Sequence, residues 1–240
     1  LQAALKEQNI TCESFKANLL HEPWDIKTGA GEYYKVFTPY WKAVLRQHDI
    51  AECLPEPAHA VRLGAHIETL TIDDLNLLPS QPDWGAKMAP YWTPGSQGAL
   101  EALDDFLDGP VNSYPDDRNR PAVKGTSKLS PHLAFGEISP RQIWHITHGK
   151  TDQGDKLLYE IGWREFSYTL LYYNPDLATE NYKSDFDAFE WAHDDENLER
   201  WQKGQTGYPF VDAGMRELWA TGWQHNRVRM VTASFLIKHL

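Results

Sequence analysis

Beyond residue 92 the chain carries helix start and stop signals in close succession and no period-two alternation, which confines that half to a helical architecture. Ser130-Pro131 and Ser139-Pro140 each set a capping hydroxyl before a proline suited to a first helical turn. From Gln153 to Tyr173, Leu157, Ile161, Phe166 and Leu170 recur at helical spacing, and Asn174-Pro175 stops the run. Pro209 to Ala220 repeats the pattern through Val211, Met215, Leu218 and Trp219, with Gly222 as its closing residue. A short loop then opens the last apolar helix.

The first half reads differently. A helix to about Glu7 is followed by an alternating segment through Thr11, Glu13, Phe15 and Ala17 that predicts a strand, in keeping with the tail of an α/β domain. From Gly29 to about Pro90, Pro and Gly are frequent and the periodic pieces short, such as Val36 to Gln47, which suits an extended connection. A new domain begins near Trp92-Thr93-Pro94-Gly95. The expected division is 1–28, the remnant of an α/β (Rossmann-like) domain; 29–90, a linker; and 91–240, an all-helical domain. The fold class is mainly α. Leu1 to Glu7 reads as the inside of a helix and Leu240 falls in mid-pattern, so an internal fragment is expected.

Composition excludes some classes. With 240 residues, 41% hydrophobic and 24% charged, the chain suits an ordinary globular protein. The longest apolar stretch, within Val231 to Leu240, carries Lys238 and His239 and falls short of the roughly 20 residues of a membrane span, so no membrane partner is expected. Cys12 and Cys53 offer neither a disulfide framework nor metal-ligand spacing; the expectation is a reducing, cytoplasmic setting and no metal. The net charge of −11 opposes a nucleic-acid partner, but its distribution softens that objection. Five cations (Arg118, Arg120, Lys124, Lys128, Arg141) face Glu137 alone between Arg118 and Arg141, whereas seven acids face one cation between Asp185 and Arg200. A basic face on an acidic body fits.

Four blocks carry the chemistry. Tyr114 and the run Gly125-Thr126-Ser127-Lys128-Leu129-Ser130-Pro131 place hydroxyls and free backbone N–H groups before a helix, an anion site in outline whose plainer alternative is a capped helix. In Glu160-Ile161-Gly162-Trp163-Arg164-Glu165-Phe166, Glu160 and Trp163 share one helical face and Arg164 lies four residues from Glu160. Gly162 costs a helix about 1 kcal/mol relative to Ala, which the close approach of something flat would explain. The plainer alternative there is an intrahelical Glu–Arg pair beside a core tryptophan. Trp191 stands in the acidic stretch, where burial is the commoner fate of a tryptophan. The last block joins Thr206-Gly207-Tyr208-Pro209-Phe210-Val211-Asp212-Ala213-Gly214-Met215-Arg216 to Gly222-Trp223-Gln224-His225-Asn226-Arg227-Val228-Arg229-Met230. Its rings, amide and guanidinium forks can hold a flat, partly anionic ligand; alternatively Trp223 and Met230 are core and the arginines a solvated face.

Taken in chain order, these blocks resemble the photolyase/cryptochrome family, most closely its class I cyclobutane pyrimidine dimer photolyases. The similarity extends over nearly the whole chain and includes Gly31 to Pro39, which looks like the family's passage out of its amino-terminal α/β domain. The resemblance implies an all-helical FAD-binding domain after the remnant of an antenna domain, in a monomer whose partner is DNA containing pyrimidine dimers. It implies that reduced FAD, excited by light, passes an electron to a flipped-out dimer and recovers it once the ring has opened. An antenna chromophore, folate or deazaflavin, belongs to the complete protein.

Carried over by resemblance, Tyr114, Thr126, Ser127, Lys128, Leu129, Ser130, Arg164 and Arg229 belong to the flavin site. Glu160 looks like the carboxylate that bonds the dimer's bases, Trp163 a stacking wall, and Asn226 and Met230 their neighbours; these four form the catalytic set. Arg118, Ser167 and Arg227 join Glu160, Trp163 and Asn226 in holding DNA. Trp191 resembles the outermost tryptophan of the chain that photoreduces the flavin. Gln224 departs from an apolar family position, and Leu157 stands where some members place a flavin-contacting tryptophan. Two rival readings remain: a cryptochrome-type photoreceptor, which would not repair, and a helical nucleic-acid-binding module without cofactor, which would show no yellow colour.

Overall fold

The computed structural model describes residues 2–13, 15–47, 50–55, 58, 68–78, 81–151 and 153–240. Eleven α-helices run through the described residues in the order α1 (Gln2–Glu7), α2 (Phe37–Arg46), α3 (Trp84–Met88), α4 (Ser96–Leu107), α5 (Tyr114–Asp117), α6 (Ser130–Phe135), α7 (Pro140–Thr147), α8 (Gly154–Tyr173), α9 (Asp195–Gln202), α10 (Pro209–Thr221) and α11 (Asn226–His239). The fold is mainly α, as the sequence predicts, and the stretch beyond residue 92 is helical throughout its regular parts. Among the described residues the sole β feature is one antiparallel bridge, Lys27 to Tyr33.

Two compact units organise the chain, one of residues 1–53 and 129–182, the other of residues 54–128 and 183–240. In the first, α8 is the spine. Its Leu157, Leu158, Ile161 and Phe166 are buried, as are Phe37, Tyr40, Trp41 and Val44 of α2, and each such large side chain contributes about 1.5–3 kcal/mol by leaving water. Rings make the joint: Tyr40 lies 5.4 Å from Phe166, and Trp41 meets Trp144 of α7 edge-on at 6.4 Å. The piece Val36 to Gln47 is therefore a core helix rather than extended chain.

In the second unit α10 and α11 pack directly. A Cβ on Gly214 would lie 2.2 Å from Val228 Cγ1, so glycine lets the helices approach. Trp92 Nε1 donates to Thr221 O at 2.6 Å and Trp201 Nε1 to Thr232 O at 3.0 Å, holding the C-terminal end of α10 and the middle of α11. Asp212 accepts from the N–H groups of Thr206 and Gly207 at 2.8 and 3.0 Å, folding the block before α10 onto its first turn.

Several local expectations change. Of the alternating segment Thr11 to Ala17, residues 11–13 and 15–17 are irregular, residue 14 lies outside the described residues, and Phe15 is 81% exposed. A strand is stable only when its ladder is paired, and no described segment pairs with it. Ser139 caps α7 in a reciprocal box with Gln142, as expected, but Ser130 is the first residue of α6; Leu129 already holds right-handed helical angles and takes the cap position. The stops at Asn174 and Gly222 fall where expected. Parts of the 29–90 connection, residues 48–49, 56–57, 59–67 and 79–80, lie outside the described residues.

Candidate functional site

In the first unit the candidate residues lie along α8. Helical spacing puts Glu160, half-buried, one turn before Trp163 and Ser167, exposed, one turn after it. Trp163 is 43% exposed, with its ring stacked on Phe37 at 3.7 Å and 11°. It is therefore not a core tryptophan but a supported flat surface. Arg164 turns away: it donates to Asn18 O at 2.7 Å and Asn18 Oδ1 at 2.5 Å, and lies over Tyr168 at 4.8 Å. The flat group that Gly162 admits is a neighbouring side chain, because a Cβ there would meet Trp41 Cε3 at 2.4 Å.

Glu165, named by the motif but given no role, is 1% exposed and accepts from Leu20 N at 2.8 Å and His21 N at 3.4 Å. Burial pushes its carboxyl up to about 8, against those two donors and Arg164.

The second unit holds the other part. His225 caps α11, its Nδ1 accepting from Arg227 N at 3.1 Å, so the neutral ring carries its proton on Nε2. Burial and then the charge of Arg227 keep it below the usual histidine range. Asn226 is exposed, and its Oδ1 accepts from Arg229 Nη2 at 2.8 Å, which orients the amide. Met230 is 56% exposed, outside any core. Arg227 donates through Nε and Nη2 to Asn119 Oδ1 at 2.9 and 2.7 Å.

The anion-site block reaches the same unit through Lys128, whose φ of +53° is unusual for a residue with a side chain and whose Nζ sits 4.6 Å over Trp223. Gly125 is required there, since a Cβ would lie 2.5 Å from Asp117 Cβ. Thr126 and Ser127 are half-buried, and Leu129 is 3% exposed. Tyr114 is buried edge-on against Phe106 at 5.1 Å, with Arg118 5.6 Å over its ring. Trp191 is 53% exposed beside Phe189, so burial is not its fate.

The donor set fits a flavin dinucleotide: Thr126, Ser127 and Lys128 offer hydroxyls, a cation and a turned backbone to a pyrophosphate. Leu157 is 4% exposed in the core, and Gln224 Oε1 accepts from Thr232 at 3.3 Å, so both departures serve packing within their own units. Sequence reasoning missed Phe37 as the support of Trp163, His225 as a cap and Asn119 as the partner of Arg227. Only the spacing of Phe37, Tyr40 and Trp41 in the piece from Val36 to Gln47 hinted at any of them. Among the described residues no group of three or more His, Cys, Asp or Glu could hold a metal ion, and no helix is long and apolar enough to cross a membrane.

Comparison with known proteins adds to this geometry. Residues 157–240 match the FAD binding domain of DNA photolyase, and residues 1–60 match DNA photolyase. The chain is 43% identical to the deoxyribodipyrimidine photo-lyase of Agrobacterium fabrum, covering 100% of this chain and 51% of that protein. It is 33% identical to cryptochrome-2 of Arabidopsis thaliana, over 98% of this chain and 41% of that one. A crystal structure of a bacterial class III photolyase from Agrobacterium tumefaciens superposes with a TM-score of 0.94 at 43% identity, over 100% of this chain and 51% of that one. The chain spans about half the length of the curated relatives it matches.

Proposed function

Because the chain belongs to the photolyase/cryptochrome family, we propose that it forms part of an FAD-dependent deoxyribodipyrimidine photo-lyase that repairs pyrimidine dimers in DNA under light. The observation that carries this reading is Trp163, a large aromatic ring left 43% exposed and backed by Phe37 one turn after Glu160. The class I expectation gains no support: the 43% identical structure is a class III photolyase, and the proposed affiliation is with that class. We further propose the domain division 1–28, 29–90 and 91–240, a monomer, an antenna chromophore in the complete protein and, from the two cysteines without a disulfide, Cys12 and Cys53, a cytoplasmic setting.

When bound, reduced FAD supplies the electron that opens the dimer. Tyr114, Thr126, Ser127, Lys128, Leu129 and Ser130 would hold the cofactor's phosphates and flank, and the family resemblance adds Arg164 and Arg229 to that set. Arg118 and Arg227 take DNA phosphates, assisted by Ser167. An extruded base stacks on Trp163, where about 1–3 kcal/mol per base offsets the cost of unstacking. Glu160 accepts hydrogen bonds from the base edge, and Asn226 and Met230 complete the catalytic set that the family resemblance implies. Trp191 would be the outermost tryptophan of the chain that photoreduces the flavin.

The direct test is repair of a defined thymine-dimer oligonucleotide by the full-length gene product with reduced FAD, with and without blue light. Loss of the dimer only in light supports the photo-lyase reading. Bound flavin without repair favours a photoreceptor, the reading that the cryptochrome-2 match supports; absence of flavin leaves a nucleic-acid-binding module. Two substitutions refine it. Trp163→Ala is expected to weaken binding of dimer DNA about tenfold or more while FAD is retained, and unchanged affinity would sink the stacking role. Trp191→Phe is expected to slow photoreduction and leave repair by pre-reduced enzyme intact; equal loss of both would refute the separation.

A further inference from the structure

We infer that Asn119 is a positioning residue for DNA phosphate binding, holding the Arg227 guanidinium beside the Arg118–Arg120 turn without neutralising it. The inference rests on the phosphate role given to Arg227 above. Asn119 lies in the turn after α5, where its backbone N–H donates to Asp116 O at 3.0 Å and its side-chain Nδ2 to Pro115 O at 3.2 Å. The second bond fixes the amide, leaving Oδ1 to face outward. That one oxygen accepts from both Nε and Nη2 of Arg227, at 2.9 and 2.7 Å.

The arrangement leaves Arg227 most of its use. A guanidinium has five N–H donors, and Asn119 takes two of them. Nη1 meets the weak acceptor Met230 Sδ, at 3.6 Å. An Nη1–Nη2 edge therefore remains for the planar, bidentate grip that phosphate favours. Arg118, preceding Asn119, lies over the Tyr114 ring at 5.6 Å, and Arg120, following it, pairs with Asp117 at 3.0 Å. A carboxylate at position 119 would grip Arg227 as well but cancel its charge, and a phosphate site depends on net positive charge. A neutral amide oxygen supplies the geometry and keeps the field. It also removes rotamer freedom that Arg227 would otherwise lose on binding, which for such a side chain is worth about two- to tenfold in affinity.

The test is a double-substitution cycle in the full-length flavin-loaded protein, reading the Kd for a dimer-containing duplex across salt concentrations, with flavin content as the control for folding. Asn119→Ala is expected to raise Kd about two- to tenfold with the salt slope unchanged, because the charge stays. Arg227→Ala is expected to raise Kd and to lower the salt slope by about 1. In the Arg227→Ala background, Asn119→Ala should then add less than about twofold. Asn119→Asp, which keeps the acceptor and adds a charge, should lower the salt slope by about 1. An Asn119→Ala protein that binds as tightly as wild type, or whose loss persists in full without Arg227, overturns the positioning role while leaving Arg227 a phosphate ligand. If Arg227→Ala changes neither Kd nor slope, the phosphate role itself fails and takes the inference with it.

Discussion

Gly162→Ala is expected to destabilise the protein by about 1–2 kcal/mol, although alanine is the better helix former. Propensity alone would favour the substitution by up to about 1 kcal/mol. Against that, the new Cβ would stand 2.4, 2.7 and 2.9 Å from three atoms of the Trp41 indole, well inside contact distance. Trp41 is 7% exposed, with Phe37, Trp144 and Tyr159 around it, and has little room to withdraw. Overpacking of this kind costs about 1–3 kcal/mol and occasionally more, so the clash wins. The check is the chemical denaturation midpoint of the full-length variant beside that of wild type. A midpoint equal to or above wild type would mean that α2 slides freely on α8. Trp41→Phe in the same background should recover part of the loss, since the smaller ring vacates the contact.

The second large effect is a pH dependence centred on Glu165. Its carboxyl is raised from an ordinary 4.5 to about 8 by burial. The folded chain therefore holds a proton that the unfolded chain has released, and stability falls as pH rises from about 4.5 to about 8, then levels off. At about 1.4 kcal/mol per unit the effect has a ceiling of about 5 kcal/mol. The groups facing this carboxyl are the backbone N–H of Leu20 and His21, Arg164 Nη1 at 3.5 Å, the charge of Glu22, and the uncharged phenol of Tyr40. Burial holds the Tyr40 phenol above its usual range as well, with the charge of Glu165 acting the same way.

Glu165→Gln keeps an acceptor for Leu20 and cannot ionise. It should match wild type near pH 5 and exceed it near pH 8, which denaturation midpoints of the two proteins across pH 5–9 would show. A difference between them that does not change with pH would remove the buried proton from the account. Glu165→Ala, in contrast, should lose stability at every pH, because the buried Leu20 N–H and the half-buried His21 N–H lose the carboxylate they share.

Much of the second half was legible in the residues themselves. The helices α8 and α10 end at Asn174 and Gly222 because proline and glycine act on their own neighbours, and the Ser139–Gln142 box is likewise local. The motif residues Asn226, Arg227, Arg229 and Met230 fall on the first turns of one helix for the same reason. What was misjudged depended on partners. Thr11 to Ala17 alternates without a paired edge among the described residues, and Val36 to Gln47 is too short to declare itself a core helix until α8 presents a face for it.

The candidate site divides along the same line. Sequence spacing determined that Glu160 and Trp163 share a face of α8 and that Asn226 and Arg229 stand one turn apart on α11, because 3.6 residues per turn needs no knowledge of the rest of the chain. Only the tertiary structure decided that Trp163 is a supported, exposed ring, that the flat neighbour of Gly162 is Trp41, that Arg164 turns to Asn18, and that Arg227 is held by Asn119. These are contacts between segments about 100 or more residues apart in sequence. Short-range spacing carries no record of them, and they are fixed only when burial and hydrogen bonding bring distant segments to the same place.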